Sequence, residues 1–202
     1  MRKIKKFKIP VYSYDIFRKT RKAGVNLELS GLGAERDFKE YVSLLASALE
    51  PAVVFDYFPP DDTDISVLGS EENAPLTIGA LTLGKEFAEK LAKEQEADRK
   101  TINEISAASF LSSAVKVISD LAKQEAMPEG FELNNPVFLY SRPEINSQTE
   151  ANAEIPLYRD ELLSALIKRL EAEKIGIVLQ NGNILPEYSC VFCLAWIIKK
   201  KK

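Results

Sequence analysis

Histidine is absent from all 202 residues. That removes the commonest general base at neutral pH, the commonest metal ligand, and every Ser-His or Cys-His nucleophile arrangement. Cysteine is nearly as scarce: Cys190 and Cys193 are the only two, too few for a disulfide framework. The glycines offer no phosphate cradle, because Gly31, Gly33, Gly79 and Gly84 assemble neither GxGxxG nor GxxxxGK[ST]. The apolar run Val191–Ile198 covers eight residues, against the roughly 20 that a membrane-spanning helix needs. The N-terminal segment lacks the charged-then-apolar order and small-residue cleavage site of a leader. These absences predict a soluble, cytoplasmic protein that engages no membrane, and they set aside most hydrolase chemistry.

What remains is a chain with 46% apolar residues, enough for one globular domain held by its own core. Its charge is unevenly placed. Residues 1–22 carry nine Lys or Arg and one acid, Asp15, and Lys199–Lys202 add four more cations. Residues 23–198 hold 14 basic and 29 acidic residues, a net of −15 hidden inside a total of −3. Such a body repels phosphate, and no nucleic-acid motif accompanies the basic ends, so nucleic acid is not expected as a partner. An acidic body suits docking onto a basic protein surface by electrostatic steering.

Read along the chain, residues 1–24 form a basic arm leading into a short helix at 13–22 that Gly24 ends. Phe38, Val42, Leu45 and Leu49 recur at helical spacing over 35–49, and Pro51 stops that helix. AVVFDYF at 52–58 and LTIGALTLG at 76–84 read as strands, separated by an acidic, turn-rich loop with at most a short strand at 65–68. A helix at 85–96 is supported by Glu86–Lys90 and Glu89–Lys93 spacing. Thr101 and Glu104 have capping-box spacing and open a long helix to about 126 whose first half is crowded with Ser and Ala. A strand at 136–140, a polar loop at 141–156, a helix at 158–174 and a strand at 175–180 follow. The turn Asn181-Gly182-Asn183 then leads to a last strand at 188–198, which completes a hairpin in the middle of the sheet. Strands and helices do not alternate strictly. The expected class is α+β, a mainly antiparallel sheet with helices packed on it, as one domain over 25–198 with a lysine tail at 199–202.

Candidate chemistry is sparse. On a strand, residues three apart point to opposite faces, so Cys190 and Cys193 read as two separate core thiols rather than a redox or zinc pair. Asp56, Asp61, Asp62 and Asp64 lack the DxDxDG spacing of a calcium loop and read as a solvated acidic loop. Arg142 is the one basic residue between Lys123 and Arg159, at the end of a strand. Either it clamps a small ligand's carboxylate bidentately or it pairs on the surface with Glu144 or Glu150.

The order of segments resembles the vitamin B12-dependent methionine synthase activation domain family, particularly its small stand-alone members. LTIGALTLGKEFAEKL is similar to the family's strand, "TLG" turn and helix, and NEISAASFLSSAVKVISDLAKQEA to its long helix of small residues. PVFLYSRPEIN sits where the family runs a strand into an Arg- and Pro-Gly-Tyr-bearing loop; IPLYRDELLSAL and IGIVLQNGNILPEYSCVFCLAWI are similar to the helix and hairpin that follow. The resemblance implies a domain of that fold that binds S-adenosylmethionine and offers its methyl group to the corrinoid of a partner methyltransferase, with flavodoxin or an iron–sulfur protein as electron donor. It places Tyr140, Arg142, Pro143 and Glu144 at the cofactor, while Glu144-Ile145 stands where the family has Gly-Tyr. It assigns no catalytic acid or base and no metal ligand. Positioning alone would supply the rate. Two other readings stand beside it: a non-catalytic adaptor of the same fold that docks a corrinoid protein without binding S-adenosylmethionine, and an unrelated small-molecule enzyme.

Overall fold

The computed structural model describes residues 1–62, 74–142 and 159–198. The possible strand at 65–68, the 143–156 part of the polar loop with Pro143 and Glu144, and the lysine tail lie outside the described residues. The chain opens with β1 (Arg2–Lys5), α1 (Ser13–Lys22) and α2 (Glu35–Ala46), followed by β2 (Ala52–Phe58) and β3 (Leu76–Thr82). Next come α3 (Lys85–Ala92), the 30-residue α4 (Ala97–Ala126), β4 (Phe131–Leu133) and β5 (Val137–Ser141). The last elements are α5 (Arg159–Arg169) and the short strands β6 (Val178–Gln180) and β7 (Asn183–Leu185), then β8 (Ser189–Ile198).

The class is mixed α+β with an antiparallel sheet. Its strands run β1-β2-β3-β8, and beyond β8 the edge is shared: β4 pairs with the C-terminal part of β8 and β5 with its N-terminal part. β2 and β3 are in register over their whole length, from Ala52↔Thr82 to Phe58↔Leu76. β8 continues the ladder from Ser189↔Thr82 to Ala195↔Leu76, so the strand with two apolar faces is an inner one, where both faces are covered.

The period-two alternation of these strands divides the core. Val53, Phe55, Leu81, Cys190, Phe192 and Leu194 face a layer made by α1 to α4. Ala52, Val54, Ile78, Ala80 and Val191 face α5 and the segment around the β6–β7 hairpin. By length and composition α4 would pass for a membrane-crossing helix, yet Ile102, Phe110, Leu111, Val115 and Ile118 are buried in the core. Its small-residue side receives α1, where the Lys19 ammonium donates to Ser109 Oγ at 3.3 Å.

Several local expectations need correction. The basic arm, read without a strand ahead of its helix at 13–22, begins with one: β1 pairs with β2 from Arg2↔Phe55 to Lys5↔Ala52. α4 begins at Ala97, four residues before Thr101, whose hydroxyl donates to the Ala97 carbonyl at 3.1 Å as a mid-helix residue. The N-cap residue of α4, Glu96, is extended and makes no side-chain capping bond; in the segment ahead of it Glu94 Oε1 accepts the N–H groups of Gln95 and Glu96 at 2.9 and 3.0 Å. α5 stops at Arg169 and gives way to a 3-10 turn over Ala172–Ile175. The Asn181-Gly182 turn, with φ of 50° and 75°, joins β6 to β7 rather than to β8. A two-residue turn pairs the residues that flank it, and Pro186 has no N–H to carry the ladder further.

Candidate functional site

Tyr140 and Arg142 lie at the C-terminal end of β5, where Ser141 opposes Cys190 and the Arg142 N–H reaches the Ser189 carbonyl at 3.3 Å. A bulge between Phe138 and Tyr140 shifts the register there. Tyr140 turns inward among Val191 and the α5 leucines, and its hydroxyl accepts the buried Ile184 N–H at 3.2 Å. It ties the sheet to the β6–β7 hairpin, which gives it a structural task at the position the sequence reading assigned to cofactor binding. Arg142 points to the surface. Its Nη2 lies 2.9 Å from Glu187 Oε1, with the two side chains 54% and 40% exposed. Among the described residues its partner is Glu187, which no local spacing in the sequence links to Arg142; Glu144 and Glu150 lie outside the described residues.

Glu187 also lines a cleft of about 620 Å³ at one end of the sheet. The cleft lies where β1 and β3 end and β2 begins, and α3 on one side and the 175–176 and 185–187 segments on the other supply its walls. It exists because small residues line it. Gly84, Ala88 and Ala92 are spaced four apart on one side of α3, and Ala52 and Gly176 face them. Gly84 has φ of 104° and its backbone lies against Glu50; an added Cβ would sit 3.0 Å from Glu50 Cβ and 3.1 Å from its carbonyl oxygen. The Gly84 N–H is satisfied by Thr82 Oγ1 at 3.1 Å.

Charge at the cleft is mostly paired. Lys6 meets Glu50 at 2.8 Å and Lys85 meets Glu89 at 3.4 Å, while Glu187 is held by Arg142. The Glu50 carboxylate raises the pKa of Lys6, first through the hydrogen bond and then through its charge. Sequence reasoning missed this cleft because its walls come from five separated segments, none of which carries a motif. The one local signal is the i, i+4, i+8 run of Gly84, Ala88 and Ala92.

The remaining constellations disperse. Cys190 is buried in the α1–α4 layer and Cys193 packs against the opposite one. Asp56 receives the Met1 ammonium at 2.7 Å, and Asp62 accepts both terminal nitrogens of Arg169, one at 2.8 Å. Arg169 in turn lies 4.6 Å over the Phe58 ring. Among the described residues no three Cys, Asp or Glu side chains gather to hold a metal ion. In comparisons with known proteins, no family model matches the chain and no curated protein matches it.

Proposed function

We propose that this protein is an accessory module of corrinoid-dependent methyl transfer, binding S-adenosylmethionine at the β5 end and presenting its methyl group to a corrinoid carried by a partner methyltransferase. The observation that carries the reading is the Arg142–Glu187 pair. An α-amino-acid end bears a carboxylate and an ammonium side by side, and Arg142 and Glu187 present the complementary charges 2.9 Å apart at the surface. A pair this exposed is worth about 0–1 kcal/mol, so opening it to receive a zwitterion costs little. The antiparallel sheet, the small-residue face of α4 and the lack of histidine also suit a module that positions rather than ionises its substrate.

S-adenosylmethionine would supply the methyl cation and leave as S-adenosylhomocysteine, and the partner's Co(II) corrinoid, once reduced to Co(I) by one electron from a flavodoxin or iron–sulfur donor, would accept it. The work of this chain is to hold the donor in line, the entropic part of the barrier. Calorimetric titration tests it. S-adenosylmethionine should bind saturably, Arg142→Ala should weaken binding about tenfold or more, as loss of a charged bidentate contact does, and Glu187→Gln should weaken it less. Absence of heat at about millimolar ligand removes the cofactor from the reading. The adaptor alternative then stands, favoured by an Arg142 already neutralised by Glu187, and capture of a corrinoid protein by the histidine-free chain decides it.

A further inference from the structure

The cleft at the sheet end adjoins the β5 terminus through Glu187, which lines it while paired to Arg142, but the chemistry of its walls differs from that of a zwitterion site. Its walls are apolar: Pro51, Ala52, Ala88, Ile175 and Pro186 contribute to them. At its lip Leu185 is 37% exposed, and its cross-strand partner Val178 on the hairpin is 46% exposed. A volume of about 620 Å³ lies in the range of small-molecule sites, roughly 300–1,000 Å³. Of the cations lining it, Lys6 and Lys85 already have carboxylate partners. Lys5 forms no ion pair among the described residues, and it lies opposite Ala52 on the sheet face that the cleft opens on.

We propose that this cleft is a binding site for an apolar monoanion, a molecule with one carboxylate on an aliphatic body. The body lies between α3 and the Leu185–Pro186 edge, and the carboxylate pairs with Lys5 at the mouth. The apolar walls give affinity through buried area, and the single unmatched cation selects an anion over a neutral analogue. Only one charge is required of the ligand, because every other charge on the rim is balanced by a neighbour.

Decanoate, with decanamide as the neutral analogue, is the probe. In a calorimetric titration of the full chain, decanoate should bind saturably and about fivefold more tightly than decanamide, the discrimination of one solvent-exposed ion pair. Lys5→Met should abolish that preference and Lys5→Arg should keep it. Ala88→Phe, at a half-buried position on α3, should block both ligands with the thermal transition retained; Leu185→Asp at the exposed lip is the second blocking variant should the first lower stability. Equal affinity for decanoate and decanamide in the unaltered protein, or binding that survives both blocking variants, overturns the proposal. Arg142→Ala would leave Glu187 unpaired on the rim, so it should weaken decanoate while leaving decanamide unchanged.

Discussion

Cys190 and Cys193 are three residues apart on β8 with side chains in opposite layers, and burial pushes the Cys193 thiol up to about 12 and the Cys190 thiol higher still. A thiol is nucleophilic only as thiolate, so neither should react with a disulfide reagent at pH 8 until the chain unfolds, when both should react. The same shifts make stability depend on pH. The native state holds these protons more tightly than the unfolded chain, whose thiols titrate near 9.0. Their contribution is therefore complete below pH 9 and is lost as pH rises toward 12, at about 1.4 kcal/mol per pH unit for each thiol. Urea denaturation between pH 9 and 10 isolates this effect, because the phenols of Tyr41 and Tyr188, also raised chiefly by burial, act from pH 10 upward. A Cys190→Ala, Cys193→Ala variant should show a flat profile in that interval. Tyr140 makes a different case. Its hydroxyl is the acceptor for the buried Ile184 N–H, so Tyr140→Phe should lower stability by about 1–3 kcal/mol in denaturant titration while leaving Arg142 and Glu187 in place.

At the scale of elements, β3 crosses the core at its tightest point. Gly79 faces Phe55 and Phe192 in the register, and a Cβ there would lie 2.6 Å from Phe192 Cζ and 3.1 Å from Phe55 Cβ. Phe192 is fully buried and has nowhere to retreat. Gly79→Ala should cost about 1–3 kcal/mol by overpacking, and adding Phe192→Leu should recover part of that loss, a coupling a double-mutant cycle reads directly. β2 and β3 were legible in the sequence because prolines and glycines bound dense β-branched runs, and α1 because Gly24, at φ of 77°, ends it. β1 and β4 were not. Each is three or four residues long, and its strand character comes from a partner remote in the chain rather than from its own pattern. The same holds for the site. Arg142 stood out as a lone cation, whereas its partner Glu187 and the cleft beside it are products of tertiary packing that no spacing encodes. Thr101 misled because capping-box spacing also occurs inside helices, where the hydroxyl bonds back to the preceding turn.

For the molecule as a whole, the net of −15 in residues 23–198 is not separate from the basic segment. Three contacts clip the two together: the Met1 ammonium to Asp56, Arg2 to Glu125, and Lys6 to Glu50. Each is exposed and screened by salt, so the clip should weaken at high ionic strength while the β1–β2 ladder persists. Deleting residues 1–6 should therefore do more than remove charge. It should uncover the outer edge of β2 along Ala52–Phe55, lower the thermal midpoint, and produce concentration-dependent scattering as bare edges find one another. The intact β1 has the opposite effect on neighbours. It carries Arg2, Lys3 and Lys5 in four residues, divided between the two faces of the sheet, so a second β1 approaching along that edge would add cations beside cations. The segment that completes the sheet within one molecule thus also sets where the sheet stops, and a crowded solution of these proteins should not join along that edge.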